Sequence, residues 1–428
     1  MHIAFAPCVR RSGLIAPGWN RVWERMMVMT IGMGRRETQV VGLISFAHLL
    51  SHLYMLVLPP LFPVIRADLG LDYAALGVAI AVFAAFTGVL QTPMGFLCER
   101  IGSRPVLIGG LFLNGAAIAL VSVVENYWQL MGLMALAGVG SSVFHPADYS
   151  ILSGTVNEKR LGRAFSIHTF GGSIGFAIAP FVMVTLYELT SWRTAVAIIG
   201  GVGVALSIVL LACSGVIGES GRPKKRSASS LTWRDMVTSP TVMLFFTFYA
   251  ASSAANAGIS QFAVSALTDI YGISLTTANL ALTVYMIASL IAVLPGGWLA
   301  DHTKHHNLTL IASFTVSAVM IALVGISGLP FWIALALLAA VGALRGLVNT
   351  SRDIMVRHAV PGASVGTVFA FVTTGFMFGQ AVSPTIYGLL MDGASPGMVF
   401  WASAAFSLIC IGTAIPAGWV KPAVGKPV

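Results

Sequence analysis

Two short stretches of the 428-residue chain carry side chains that could move a proton. In AHLLSHLY, His48 and His52 are four residues apart; in SVFHPADY, His145 and Asp148 are three apart. At either spacing, two side chains share one face of a helix. Imidazole titrates near neutral pH, so a histidine beside a carboxylate can accept a proton and return it. His168 is a further candidate. The His48/His52 spacing also suits metal ligation, but no third ligand is visible beside it and no metal site is expected. The plainer reading of the pair is a polar stripe facing a cavity. Asp148 is the only acid placed clearly within a helix, with Pro146 loosening the backbone beside it. Two readings stand for it: a coupling or gating group, or a structural contact near the helix end that reaches water.

The second half of the chain offers hydrogen-bonding groups suited to binding a cargo. Asn256, Ser260 and Gln261 fall in one apolar run, Asn279 and Tyr285 in the next, and Gln380 near the end. Arg345 and Asn349 lie one turn apart. A guanidinium in an apolar run implies an anionic group on the cargo, a buried partner acid, or a side chain that snorkels to the interface. The cargo-cavity candidates are therefore Asn256, Gln261, Tyr285, Arg345, Asn349 and Gln380. Arg352 and Asp353, just beyond, read as gate residues at the inner face.

The elements that must position these groups are membrane helices. The chain is 57% hydrophobic and 9% charged, with a mean hydropathy of +0.87. Soluble domains average about 25% charged residues. The apolar residues come in runs of about 20, the length that crosses a roughly 30 Å hydrocarbon core. A β-barrel would show short alternating segments instead. Twelve helices are predicted: 38–65, 74–97, 104–124, 127–152, 162–187, 193–217, 241–266, 275–299, 308–327, 329–350, 364–390 and 396–419. With both termini inside, every Lys and Arg except Arg66 and Arg193 lies on the inner side, as the positive-inside rule requires. The formal charge of +9 thus reflects inner loops rather than nucleic-acid binding. The scattered Cys8, Cys98, Cys213 and Cys410 indicate neither a disulfide framework nor a metal site.

The predicted organisation is a basic tail (1–37), a six-helix half (38–217), a polar linker (218–240), a second six-helix half (241–419) and a short tail (420–428). Residues 1 to about 36 lack the apolar core of a signal peptide and read as a basic inner tail, and Met26, Met27, Met29 and Met33 are alternative starts. The halves repeat. GFLCE (95–99) matches GWLAD (297–301) at an offset of 202. Gly162, Gly171, Gly175 and Pro180 match Gly366, Gly375, Gly379 and Pro384 at 204. A duplicated six-plus-six transporter, with its site between the halves near midplane, explains that register.

The stretch GFLCERIGSR (95–104) resembles the loop 2–3 signature of the major facilitator superfamily, G-x-L-A-D-R-x-G-R-[RK], and GWLAD repeats its opening. The resemblance spans residues 38–419 and implies an all-α integral membrane fold of twelve helices in two pseudo-symmetric halves. It implies a conformational latch at Gly95, Glu99, Arg100, Gly102 and Arg104, echoed by Gly297 and Asp301. Glu99 replaces the usual Asp, and His302, Thr303, Lys304 and His305 depart from the pattern. The plainer alternative is that these are solvated loop charges. SHLYMLVLPPLFPVI and SSVFHPADYSIL resemble the fosmidomycin-resistance-like branch. The helix-five signature of drug antiporters is absent, since Phe181 and Val182 follow Ala179-Pro180, and Met134 stands where many proton-driven exporters have arginine.

The expected function is secondary active transport of a small molecule by alternating access, proton-coupled, with efflux favoured over uptake of an organic anion. A membrane enzyme would need a catalytic constellation, and Asp301 with His305 and His306 is the nearest thing to one. A sensor would need a soluble receptor domain. No nucleotide-binding loop is present and no cofactor is expected. The partners expected are the cargo, protons and the lipid bilayer, with no nucleic acid. The expected location is a bacterial inner membrane, with the monomer as the working unit.

Overall fold

The computed structural model describes residues 33–217, 233–326, 328–358 and 365–417, and every regular element among them is helical. In order these are α1 (Arg35–Met55), α2 (Phe62–Leu69), α3 (Tyr73–Ile101), α4 (Ser103–Leu120), α5 (Tyr127–Ser141), α6 (Phe144–Thr155), α7 (Leu161–Leu189) and α8 (Trp192–Ala212). There follow α9 (Trp233–Thr238), α10 (Pro240–Ala257), α11 (Ala263–Tyr271), α12 (Leu275–His302), α13 (His306–Val324), α14 (Phe331–His358), α15 (Val365–Gly393) and α16 (Met398–Ala417). Ten stretches are long and apolar enough to cross a bilayer, and Met398–Ala414 is a shorter apolar helix. The 29-residue α15 supplies the remaining position. A helix or a closed barrel is all the hydrocarbon tolerates, because backbone groups there find no water.

Three spans are broken, each where the sequence gives a reason. Pro59 and Pro60 lack N–H donors, and a 3₁₀ turn at Pro59–Leu61 separates α1 from α2. The α5–α6 break falls at Ser142–Val143, just ahead of Pro146. Between α10 and α11 the backbone widens to a π segment, Gly258–Phe262, which carries Ser260 and Gln261. Such segments collect at functional sites.

Several predicted bounds shift. Glu99 and Arg100 are not in a loop but in the last turn of α3. Gly102 alone separates α3 from α4, at φ 99°, a conformation that costs any other residue. Gly95 lies within α3, as the predicted helix 74–97 has it. Helix ten runs on to His358, so Arg352 and Asp353 are helical. These polar ends are invisible to a hydropathy reading, which stops at the first charge.

The described chain forms two compact units. One comprises 33–55, 86–176 and 193–217; the other comprises 56–85, 177–192 and 233–417. Segments 56–85 and 177–192 thus pack with the second half rather than the first. Most of the predicted linker lies outside the described residues, as do the tail beyond 417 and residues 1–32.

Backbone contacts show the repeat inside each unit. In the first, a Cβ on Gly171 would meet the Ser45 carbonyl oxygen at 2.9 Å, and one on Gly175 would strike that of Leu49. In the second, Cβ atoms on Gly375 and Gly379 would strike the carbonyls of Phe246 and Ala250. Ser45 and Leu49 precede Phe246 and Ala250 by the same interval, so α7 lies on α1 as α15 lies on α10. Small residues permit such close approach in membranes. The helix ends repeat as well. Gly70 and Gly272, at φ 62° and 61°, cap α2 and α11 in left-handed geometry.

Gly175→Ala is expected to lower the stability of the purified protein by about 1–3 kcal/mol, the usual cost of overpacking. Gly201→Ala, with nothing within 4 Å of its Cβ, should be near neutral. Thermal melting in detergent separates the two.

Candidate functional site

The first unit brings together every coupling candidate. Asp148 on α6 is completely buried, and neither carboxylate oxygen accepts a hydrogen bond from the described residues. His48 Nδ1, from α1, stands 3.4 Å from its Oδ2, and His168 Nε2, from α7, stands 3.7 Å away. Both contacts are charge-pair distances without hydrogen-bond geometry. The His48 and His168 rings stack, with centroids 3.9 Å apart and planes 26° from parallel. His52 lies 4.4 Å from His48 by ring centroid, and His145 lies 5.3 Å from it. Complete burial removes the reading of Asp148 as a residue reaching water.

Glycines make room for this cluster. A Cβ on Gly172 would fall 2.8 Å from the His48 ring and 3.0 Å from His52. With Gly171 and Gly175 it gives α7 a bare face that admits the imidazoles of α1. Phe176 closes the other side of His52, at 4.4 Å between centroids.

The missing third metal ligand of the sequence reading is present after all. His48, Asp148 and His168 each offer a ligand atom, all within 4.8 Å of one another. The donor set is one a divalent ion accepts. The rings do not suit it: an ion bound through a ring nitrogen lies in that ring's plane, and two nearly parallel stacked rings share no such point. The arrangement suits proton exchange among imidazoles and a carboxylate better than chelation.

The second unit pairs the expected cargo residues with one another. Gln261 Nε2 donates to Gln380 Oε1 at 2.8 Å, and the Tyr285 hydroxyl donates to Asn256 Oδ1 at 2.6 Å. Gln261 Oε1 is buried without a partner. Asn349 is half-buried. Arg345 is held by the protein itself: Nη2 donates to Ser407 Oγ at 3.0 Å, Nη1 to the Ser252 carbonyl at 3.4 Å, and the guanidinium lies 5.3 Å from the centre of the Phe314 ring. No carboxylate pairs with it among the described residues. Arg352 and Asp353 form an ion pair at 2.8 Å beside Tyr249, whose hydroxyl donates to Asp353 at 2.9 Å.

The signature residues are mostly unengaged. Glu99 and Arg100 are exposed and make no hydrogen bond or ion pair among the described residues. Arg104 donates instead to the carbonyls of Ser214 and Ile217, beyond the end of α8. Asp301 lines an open pocket of about 490 Å³ with Lys304, His306 and Arg357. Nothing lies within 4 Å of a Cβ on Gly297.

Sequence reasoning missed two sets of contacts. Glu37 clamps the start of α1, accepting from Arg160 Nη1 at 2.7 Å, Asn157 N at 2.9 Å and Gly34 N at 2.9 Å. In the second unit the Asp392 carboxylate accepts from the backbone N–H groups of Tyr73 and Ala74, at 3.0 and 2.7 Å. The only sequence signal for the second was glycine near both partners, Gly77 and Gly388.

The described residues thus form a helical fold of membrane-spanning length, with a buried ionisable cluster in one unit and paired amides in the other. The profile described as Major Facilitator Superfamily matches residues 44–267 and 249–427, and the chain belongs to that family. It is similar to the fosmidomycin resistance protein of Escherichia coli (strain K12), 23% identical over 88% of this chain and 92% of that one. It is 28% identical over 174 residues to the probable L-galactonate transporter of the same strain, covering 41% of this chain and 38% of that relative's length. Its fold matches the crystal structure of a bacterial homologue of the human lysosomal transporter Spinster, in an inward-facing and occupied conformation. The TM-score there is 0.75 at 13% identity, over 91% of this chain and 98% of that one. The chain is an integral membrane protein with the fold of small-molecule transporters.

Arg345→Lys is expected to destabilise the cargo-free protein by about 1–3 kcal/mol, since an ammonium cannot span Ser407 and the Ser252 carbonyl as the planar fork does. Melting without cargo tests this. A residue whose only role is to contact cargo would leave that melting point in place.

Proposed function

We propose that the chain is a secondary active transporter that exchanges a small-molecule cargo for protons by alternating access, with export favoured over uptake. The observation that carries this reading is Asp148, fully buried, with no lysine or arginine beside it among the described residues and imidazoles at 3.4 and 3.7 Å. A desolvated charge needs a compensating partner. Here the partners are titratable, so compensation comes and goes with a proton. His52 and His145 extend the relay. Ionisable groups inside a membrane span are functional by default.

Cargo binds, in this reading, against the amide and phenol groups of Asn256, Gln261, Tyr285, Asn349 and Gln380. The unpartnered Gln261 oxygen and the π segment support that assignment. Export is supported by similarity to a resistance protein over nearly the whole chain. Uptake of an organic anion is the second reading, favoured by the shorter match to a probable L-galactonate transporter. Glu99, Arg100 and Arg104, with Gly95, Gly102, Gly297 and Asp301, are proposed as the inner latch. The unpaired Glu99 and Arg100 fit a latch released. The Lys and Arg distribution supports inner placement of both termini, in a bacterial inner membrane, and one chain is taken as the transport unit.

Liposomes holding a pH-sensitive dye, challenged with a panel of organic acids and antibiotics, test the reading. Wild type should show cargo-triggered proton movement, and Asp148→Asn should abolish it while labelled cargo still binds. Undiminished proton flux in Asp148→Asn would remove Asp148 from the relay. Cargo crossing without proton movement in wild type would replace proton coupling by another drive.

A further inference from the structure

The second unit contains a fastening that the signature gives no hint of. Helix α3 begins at Tyr73, and the first N–H groups of any helix lack partners within it. Asp72 serves Ala75 N from its own chain, at 2.6 Å. Tyr73 N and Ala74 N are served from 318 residues or more away, by the two oxygens of Asp392 at the end of α15. The carboxylate also faces the positive end of the α3 dipole.

Glycines bring the two helices close enough for this. A Cβ on Gly388, one turn before Asp392, would strike the Tyr73 carbonyl oxygen and lie 2.6 Å from Ala74 Cα. One on Gly77, a turn further along α3, would strike the Pro384 carbonyl oxygen. Tyr73 ties in further elements. Its hydroxyl donates to Asp269 Oδ2 of α11 at 3.3 Å, and Arg66 of α2 lies over its ring at 4.7 Å. Two more contacts fasten the same end: Trp192 Nε1 donates to Asp68 Oδ2 at 3.2 Å, and Thr276 donates to Glu188. By the Lys and Arg distribution this end is external.

We infer that Asp392 is a positioning residue of the transport cycle: by capping α3 it holds the outer end of this unit shut, and its release accompanies opening to the outside. The inference rests on the alternating-access part of the proposed function and is independent of the proton relay. Asp392 is exposed, so water competes for its oxygens, and its contribution is that of a helix cap rather than of a buried ion pair. A cap of that kind changes the closed-to-open ratio by roughly three- to thirtyfold.

The test uses the full chain without its native cysteines and with Ser383→Cys as reporter. Ser383 is 1% exposed, and its hydroxyl has no hydrogen-bond partner, so the exchange removes no bond. A membrane-impermeant maleimide is applied from outside in right-side-out vesicles and from inside in inverted ones. Asp392→Ala is expected to raise the outside labelling rate about three- to thirtyfold and leave the inside rate unchanged, with Asp392→Asn in between because it keeps one acceptor oxygen. Gly388→Ala should raise the outside rate by wedging the same contact apart. Wild-type labelling in Asp392→Ala, with Gly388→Ala reactive, would overturn the role of Asp392 and leave alternating access standing. Equal increases from both sides would show general loosening and overturn it too. If neither variant nor added cargo changed labelling from either side, alternating access itself would fall with it.

Discussion

Contact of one helix backbone with another, at glycine, is the constraint on which the remaining features depend. Gly171, Gly172 and Gly175 strip side chains from one face of α7, so α1 lies directly on it. Only then do His48 and His52 reach His168, and only then is Asp148 cut off from water. In a bilayer no hydrophobic force drives helices together, because lipid tails are as apolar as leucine. Association rests on close van der Waals packing and on polar contacts, and here the same glycines provide both. A methyl group at Gly172 would cost packing energy and push an imidazole out of the cluster.

The halves use one scaffold for different chemistry. The interval that relates α7 on α1 to α15 on α10 is kept, as are the left-handed glycines after α2 and α11. What fills the equivalent space differs. The first half places titratable groups around a carboxylate. The second places amides, a phenol and an arginine occupied by Ser407, the Ser252 carbonyl and Phe314. The duplicated frame thus carries ionisable groups around a buried carboxylate in one unit and paired amide and phenol groups in the other.

Much of this was legible from residue order. Run length gives the helices, because hydrocarbon thickness acts on the chain as a whole, while the placement of Lys and Arg supports the sense proposed for them. The repeated glycines gave the duplication, since backbone contact leaves no freedom of residue type. The His48/His52 and His145/Asp148 pairs were visible because each lies within one helical turn or so. Their convergence with His168 was not, because it depends on how three helices pack. Arg345 is the reverse case: an arginine in an apolar run suggests a ligand, and only the structure shows Ser407 and Phe314 waiting for it. Glu99 and Arg100 read as loop residues in the sequence because hydropathy cannot see a polar helical turn. Asp392 itself is unreadable, as its partner is a backbone N–H, which every residue but proline has, and only Gly77 and Gly388 hint at the close approach.

One helix joins several of these features. Tyr73 to Ile101 is 29 residues long, about 43 Å at 1.5 Å per residue, with the Asp392 cap at its first turn and Glu99 and Arg100 at its last. Its first 13 residues belong to one compact unit and the rest to the other. Such a rod acts as a lever: a tilt of about 5° displaces its far end by roughly 4 Å, more than the length of a hydrogen bond. Pro93 leaves one rung of its ladder unbonded, giving the lever a joint near the signature end. A bend at that joint would redirect only the about eight residues beyond Pro93, the part of the helix that carries Glu99 and Arg100.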